Sequence, residues 1–271
     1  MWMIKPTTCL YMNDTFLYEG SGKLLSYGSQ TFKDQTLPYA VFDQTIFYPQ
    51  GGGQPADKGT IKIKDQSYDV AHVAFEPETS QVIHYLDREI TAEPGAVVLY
   101  EIDKDYRLLN AKAHTAGHLI GSVVQELSKD QLIATTGNHM PNQYSVLFTY
   151  DANNQNGLQE IYQQDFSFSS NEELIHEVNQ HLSKLIKNKT PVETKHADAN
   201  DLKNLVLPEG YQVPEGKPCR IAHIQTLPPV PCGGTHLDNL SHFKSIEVTK
   251  ISMKKNPKGG PKVPKLSYIF S

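Results

Sequence analysis

Up to about residue 100, apolar and polar positions alternate in short runs. The segments YMNDTFLYEG, LPYAVFDQTIFYP, GTIKIKD, SYDVAHVAF, QVIHYLD and AVVLYEID are rich in Val, Ile, Tyr and Phe, and Gly, Asp and Pro bound them. Such runs predict strands, because successive side chains of a strand point to opposite faces. Several strands at close spacing predict a small β-barrel-like module over residues 1–103. At about Asp103 the period changes. Leu109, Ala113, Ala116, Ile120, Val124 and Leu127 recur at three- and four-residue steps, which predicts an amphipathic helix of about 24 residues. A second helix is announced by Ser170 and Glu173, a capping box, followed by the stripe Leu174, Val178, Leu182 and Leu185 and stopped by Pro191. YSVLFTYD and DFSFSS between the helices, and CRIAHIQ, SIEVTKISM and KLSYIFS after them, predict further strands. The expected class is α+β, with a second, α+β domain over residues 104–271.

Composition narrows the possibilities. The chain has 271 residues, 38% hydrophobic and 20% charged, ordinary values for a soluble globular protein. It shows no apolar run of membrane-spanning length, and its start lacks a charged-then-apolar signal pattern. Cys9, Cys219 and Cys232 are widely spaced and odd in number, which is no disulfide framework and points to a reducing cytoplasm. The net charge of −5 argues against a general nucleic-acid coating protein, so any such contact requires a local patch. One candidate exists, since residues 244–265 hold Lys244, Lys250, Lys254, Lys255, Lys258, Lys262 and Lys265 against Glu247 alone. From charge alone, a solvated Gly/Pro-rich loop between two strands explains that run better.

The first helix contains KAHTAGHLIG, with His114 and His118 four residues apart. Helical geometry puts both on one face, off the apolar stripe, together with Arg107, Asn110, Gly117, Gly121 and Gln125. Two imidazoles at that spacing can chelate one metal ion. Thr115, Ala116 and Gly117 between them exclude the zinc-protease motif, which needs a Glu there. By itself the pair is a weak signal in a chain with eleven histidines, and a solvated helix face is the alternative. PVPCGGTHLD supplies a second pair, Cys232 and His236, again four apart, with Gly233 and Gly234 permitting a tight turn. A lone cysteine is most often a small buried hydrophobe. The repeated spacing favours a metal instead, and a sulfur-plus-nitrogen donor set suits Zn2+.

HTAGH followed far downstream by CGGTH, with FYPQGGGQPADKG at 47–59 ahead of both, resembles the editing domain of alanyl-tRNA synthetase and its free-standing AlaX-type relatives. The resemblance covers nearly the whole chain, and the glycine motif marks the longer AlaX form. The family's Met-Arg before the first histidine is absent, since Asn110, Ala111 and Lys112 precede Ala113 here. The resemblance implies a zinc-dependent hydrolase that deacylates mischarged tRNA(Ala), chiefly seryl-tRNA(Ala) and also glycyl-tRNA(Ala), without ATP. His114, His118, Cys232 and His236 would hold the metal. Four firm ligands would make a closed structural site, and three with His236 as the loosest would leave one position open. The family motif gives Gln54 a catalytic role, whereas Gly51, Gly52 and Gly53 have a plain explanation as a turn. Thr135, or Thr136 beside it, stands where similar domains place a pocket hydroxyl. A β-prone threonine at a strand start explains either equally well.

The implied partner is the acceptor end of tRNA charged elsewhere, since the chain is short for a synthetase core beside these two modules. Other readings are a non-catalytic zinc-stabilised tRNA-binding module, a deacylase of another mischarged tRNA, and a zinc hydrolase of small esters or amides.

Overall fold

The structure, a computed structural model, describes residues 5–271 apart from 152–153, 155, 165, 199–200, 202, 204, 206, 208–218 and 257–258. The chain divides into two compact units, Met1–Ala111 and Lys112–Ser271. The first 3-10 turn, Leu10–Met12, follows β1 (Thr8–Cys9), which pairs in parallel with β4 (Gln44–Thr45). The expected strand at 11–20 does not form there. Asp14 Oδ1 instead accepts from the Phe16 amide at 2.8 Å, a local turn that holds the chain out of a ladder.

Six strands then close a barrel: β2 (Glu19–Phe32), β3 (Gln35–Phe42), β5 (Gly59–Ile63), β6 (Gln66–Glu76), β7 (Gln81–Leu86) and β8 (Val97–Ile102). Their order around it is β2-β3-β7-β6-β5-β8, so the barrel-like expectation for this part is met by full closure. Leu24, Phe42, Ile61, Val73, Val82 and Val98 are among the side chains that fill it. β2, the longest strand, gives no β-signal because it is rich in Gly and Ser. Packing explains that composition. A Cβ on Gly22 would stand 2.2 Å from the Tyr100 hydroxyl, which donates to the Gln44 carbonyl at 2.7 Å.

Arg107 lies fully buried on the first turns of α1 (Lys104–Leu127). Its Nε donates to both Asp57 oxygens at 3.0 Å, Nη1 to the Thr15 carbonyl at 2.8 Å and Nη2 to the Ile46 carbonyl at 2.6 Å. Nη2 also pairs with Asp57 Oδ2, which accepts from the Tyr48 amide at 2.6 Å. α1 starts where expected, with Asp103 Oδ1 accepting from the Tyr106 amide at 2.9 Å.

In the second unit an antiparallel sheet runs in the order β14-β15-β10-β9, built from β9 (Leu132–Asn138), β10 (Ser145–Tyr150), β14 (Ile246–Lys254) and β15 (Val263–Phe270). A second sheet joins β11 (Val192–His196), β12 (Arg220–Ile224) and β13 (Val230–Pro231). One face of the larger sheet packs on α1. Gly121 lies close enough that a Cβ there would meet Ala134 Cβ at 3.0 Å, and the Tyr268 hydroxyl donates to the Ala113 carbonyl at 2.7 Å. α1 is therefore buried nearly all round from Asn110 to Gln125, Lys112 and His118 being half-buried, whereas Leu109 of the expected stripe is 37% exposed. The polar histidine face is enclosed, which removes the solvated-face alternative.

The expected strand at 165–170 does not form among its described residues (residue 165 lies outside them). Phe168 is buried edge-on to Tyr162 of the short helix α2 (Leu158–Tyr162), and Ser169 and Ser170 are committed to capping α3 (Asn171–Lys187). Ser170 Oγ accepts from the Glu173 amide at 3.2 Å, while Glu173 Oε2 accepts from the Ser169 amide at 2.7 Å. α3 reaches β14 through Asn179, whose carboxamide donates to the Val248 carbonyl at 3.0 Å and accepts from its amide at 2.8 Å. Among the described residues no helix is long and apolar enough to cross a membrane.

Candidate metal centre

His114, His118, Cys232 and His236 converge in the second unit, one candidate ligand atom from each lying within 4.8 Å of all the others. Two come from α1, one turn apart. The other two come from the loop after β13, on either side of Gly233 and Gly234. Cys232 Sγ is 3.4 Å from His114 Nε2 and 3.2 Å from His236 Nε2, and the Gly234 amide donates to it at 3.3 Å. Arg220 pins the loop, its Nη1 donating to the Cys232 carbonyl at 2.9 Å and the Gly234 carbonyl at 2.8 Å.

Thr115 joins helix to loop. Its hydroxyl oxygen accepts from the Leu237 amide at 3.1 Å and lies 3.2 Å from His236 Nδ1. That contact orients the ring so that Nε2 turns toward Cys232, as an outer partner does for a metal-ligating histidine.

The electrostatics suit a cation. Burial, and then the charges that neighbouring imidazoles and Arg220 would carry, hold His114 and His236 well below the ordinary histidine range; His118 is pushed down to about 3. Three neutral imidazoles thus face one point with no carboxylate among them. His118 Nδ1 is buried with no hydrogen-bond partner among the described residues. Burial pushes the Cys232 thiol up to about 11, partly offset by the Gly234 amide and Arg220. A coordinated divalent cation removes such a proton outright. The donor set therefore fits a metal ion.

A fourth imidazole escapes the spacing argument. His139, just after β9, stacks on His114 with ring centroids 4.6 Å apart and planes 26° apart. Gly117 and Gly137 make its slot, since a Cβ on either would come within 2.3 Å of the ring. The Tyr268 hydroxyl has one proton and gives it to the Ala113 carbonyl, so at 3.0 Å it accepts from His139 Nδ1. That leaves Nε2 as the nitrogen with the lone pair. His139, Tyr268 and Arg220 carry no motif, and Thr115, inside HTAGH, is not marked by the ligand spacing. For His139 a sequence hint is Gly137, two residues before it.

Thr135 and Thr136 lie on β9. Thr135 is the extra residue of a β-bulge, since Leu147 pairs with Thr136 and Phe148 with Ala134. It is exposed, and its hydroxyl donates to the Leu147 carbonyl at 3.1 Å. Thr136 is exposed on the sheet face turned away from α1. Gln54 belongs to the barrel unit, where it is fully buried. Its backbone closes a turn with Gly51, the amides and carbonyls exchanging at 2.8 and 3.2 Å. Gly52 and Gly53 take φ of 53° and 79° there, conformations that account for both glycines.

Comparison with known proteins agrees with this picture in its coarse outline. A family model described as tRNA synthetases class II (A) matches residues 26–106. The chain is 29% identical to the alanyl-tRNA editing protein AlaX-M of Pyrococcus horikoshii, covering 92% of this chain and 94% of the relative. It is 26% identical to AlaX-M of Methanosarcina barkeri over the same shares. An alanine–tRNA ligase of Caldivirga maquilingensis is 29% identical over 92% of this chain, which spans only 25% of that ligase. The resemblance to the two alanyl-tRNA editing proteins thus extends over 92% of this chain.

Proposed function

We propose that this protein deacylates mischarged tRNA(Ala), chiefly seryl-tRNA(Ala) and also glycyl-tRNA(Ala), with Zn2+ held by His114, His118, Cys232 and His236. The observation that carries the reading is the convergence of two i,i+4 donor pairs, over a hundred residues apart in sequence, on one point. Neutral imidazoles and a thiol with no carboxylate suit zinc better than a hard cation. When bound, zinc supplies Lewis acidity and makes a water acidic near neutral pH.

The protein's own groups hold and orient. Thr115 and Arg220 fix the loop ligands, and His139 fixes the plane of His114. His236 is the candidate for the loosest ligand, which would leave the fourth position to substrate. Gln54, able to donate and accept at once, is assigned to orienting water or the ester. Thr135 keeps oxygen lone pairs free of its bond to Leu147 and is assigned to the serine hydroxyl, with Thr136 as the substitute.

The test is deacylation of purified seryl-, glycyl- and alanyl-tRNA(Ala), with and without a chelator. Seryl-tRNA should be cleaved fastest, and the chelator should abolish cleavage. Equal cleavage of all three, or full activity in the chelator, overturns the reading. Gln54→Ala should lose rate while keeping its zinc, and a parental rate removes its catalytic role. Thr135→Val should lower the seryl over alanyl ratio of kcat/KM by roughly 2–10-fold, the worth of one hydrogen bond. An unchanged ratio assigns selectivity elsewhere.

A further inference from the structure

The lysine run at 244–265 is not confined to a loop. Lys250 and Lys254 lie on β14 and Lys265 on β15, and the strand register places them. One row across the sheet reads Asn138, Ser145, Ser267, Lys250, and the next reads Thr136, Leu147, Lys265, Ser252. Neighbours in a row share a face. The row between them, Gly137, Val146, Leu266 and Ile251, belongs to the opposite face, on the side of Ala134 and Tyr268 that packs on α1. The two polar rows therefore lie on the side away from the helix. Lys250, Lys254 and Thr136 are exposed, and Lys265, Ser252, Ser267 and Asn138 partly so; Ser145 is buried. Beyond the strands, Lys255 and Lys262 are exposed on the connecting segment, and Lys258 lies outside the described residues.

Two features separate this face from an ordinary solvated surface. Among the described residues, none of Lys250, Lys254, Lys255, Lys262 and Lys265 pairs with an acidic group, and Glu247 is the one acid on the strands. The lysines are interleaved with hydroxyl and amide donors. Lys, Ser, Thr and Asn are the side chains that contact nucleic-acid phosphates, and contacts of this kind position a partner without reading its sequence. In a chain of net charge −5, a concentrated positive face is a local device, since the overall field repels a polyanion.

We propose that the helix-free face of the β14-β15-β10-β9 sheet binds the sugar–phosphate backbone of tRNA, with Lys250 and Lys265 as its central contacts. This rests on the reading of the protein as acting on tRNA, and it adds the surface that holds the polynucleotide while the metal centre handles the ester.

The test measures the affinity of uncharged tRNA(Ala) against salt for the parent, for Lys250→Gln/Lys265→Gln, and for a barrel control, Lys62→Gln/Lys64→Gln. Each lost phosphate contact lowers the slope of log affinity against log salt by about 1. The sheet variant should lose about 2 from that slope and bind at least about tenfold more weakly at low salt. The control should match the parent. Metal content equal to the parent's shows that the sheet variant is folded. An unchanged slope in the sheet variant, or an equal loss in the control, overturns the proposal. So does a sheet variant that keeps its tRNA affinity but loses binding to vesicles of anionic lipid. Parental deacylation with unaffected tRNA affinity in the variant sinks this surface alone. Absent deacylation with lysine-dependent tRNA binding sinks only the catalytic reading.

Discussion

Two buried polar clusters, one in each unit, solve opposite problems. Around Arg107, every charge has its counterpart. The guanidinium meets the Asp57 carboxylate and two backbone carbonyls, and the carboxylate also accepts from the Tyr48 amide. Around Cys232, like meets like. Imidazole nitrogens and a sulfur face one another, and among the described residues no acid joins them and His118 Nδ1 has no partner. The first cluster is complete as protein and belongs to folding. The second presents donors that could hold a cation. What separates a structural polar cluster from a functional one is whether its own groups satisfy each other.

The comparison breaks most sharply if the second cluster does not need its ion. His114→Ala with Cys232→Ala should reduce metal from one equivalent to none by elemental analysis, and a full equivalent retained there would refute the ligand set. On the other side, Arg107→Ala should strand the buried Asp57 carboxylate and cost about 3–5 kcal/mol of stability. Denaturant titration measures this, and a cost under about 1 kcal/mol would mean that water replaces the guanidinium without difficulty.

Thr115→Val sharpens the contrast by removing only an outer contact. It should weaken metal affinity by about 10–100-fold, read by competition with a chelator, while the metal stoichiometry stays at one. Parental affinity would show that His236 needs no orienting partner.

A test by pH belongs to His84, fully buried in the barrel, with Nε2 2.8 Å from Thr45 Oγ1 and burial pushing its pKa down to about 3. The unfolded chain binds this proton from about pH 6.5 downward and the folded chain only near 3. Stability is therefore fully present above about 6.5 and is lost as pH falls, by up to about 1.4 kcal/mol per pH unit. His84→Phe should flatten the denaturation midpoint against pH between 4 and 6. An unchanged slope there would show that His84 does not set the acid sensitivity.

Much of this was legible in the sequence, and the exceptions have a common cause. α1 and α3 carry their own periodicity and caps, and the four ligands carry their own spacing, so local pattern suffices for both. β2 was not legible, because Gly20 and Gly22 answer to Ile46 and Tyr100, far along the chain. DFSFSS alternates like a strand, yet Phe168 is spent on Tyr162 and the serines on a cap. His139 reads as one histidine among eleven until Gly117, Gly137 and Tyr268 are seen around it. Arg107 reads as a polar position on the histidine face, and its carboxylate partner is fifty residues away.

The carboxamide of Asn179 has a consequence for how this molecule meets copies of itself. β14 is the outermost strand of its sheet, and an open edge is a template onto which another chain can add by backbone pairing. At Val248 both edge groups are already taken, the carbonyl by Asn179 Nδ2 and the amide by Asn179 Oδ1. A single side chain thus imitates the missing strand and terminates the ladder. An incoming chain would have to displace α3 before it could lengthen the sheet, which closes one route from a folded molecule to an aggregate.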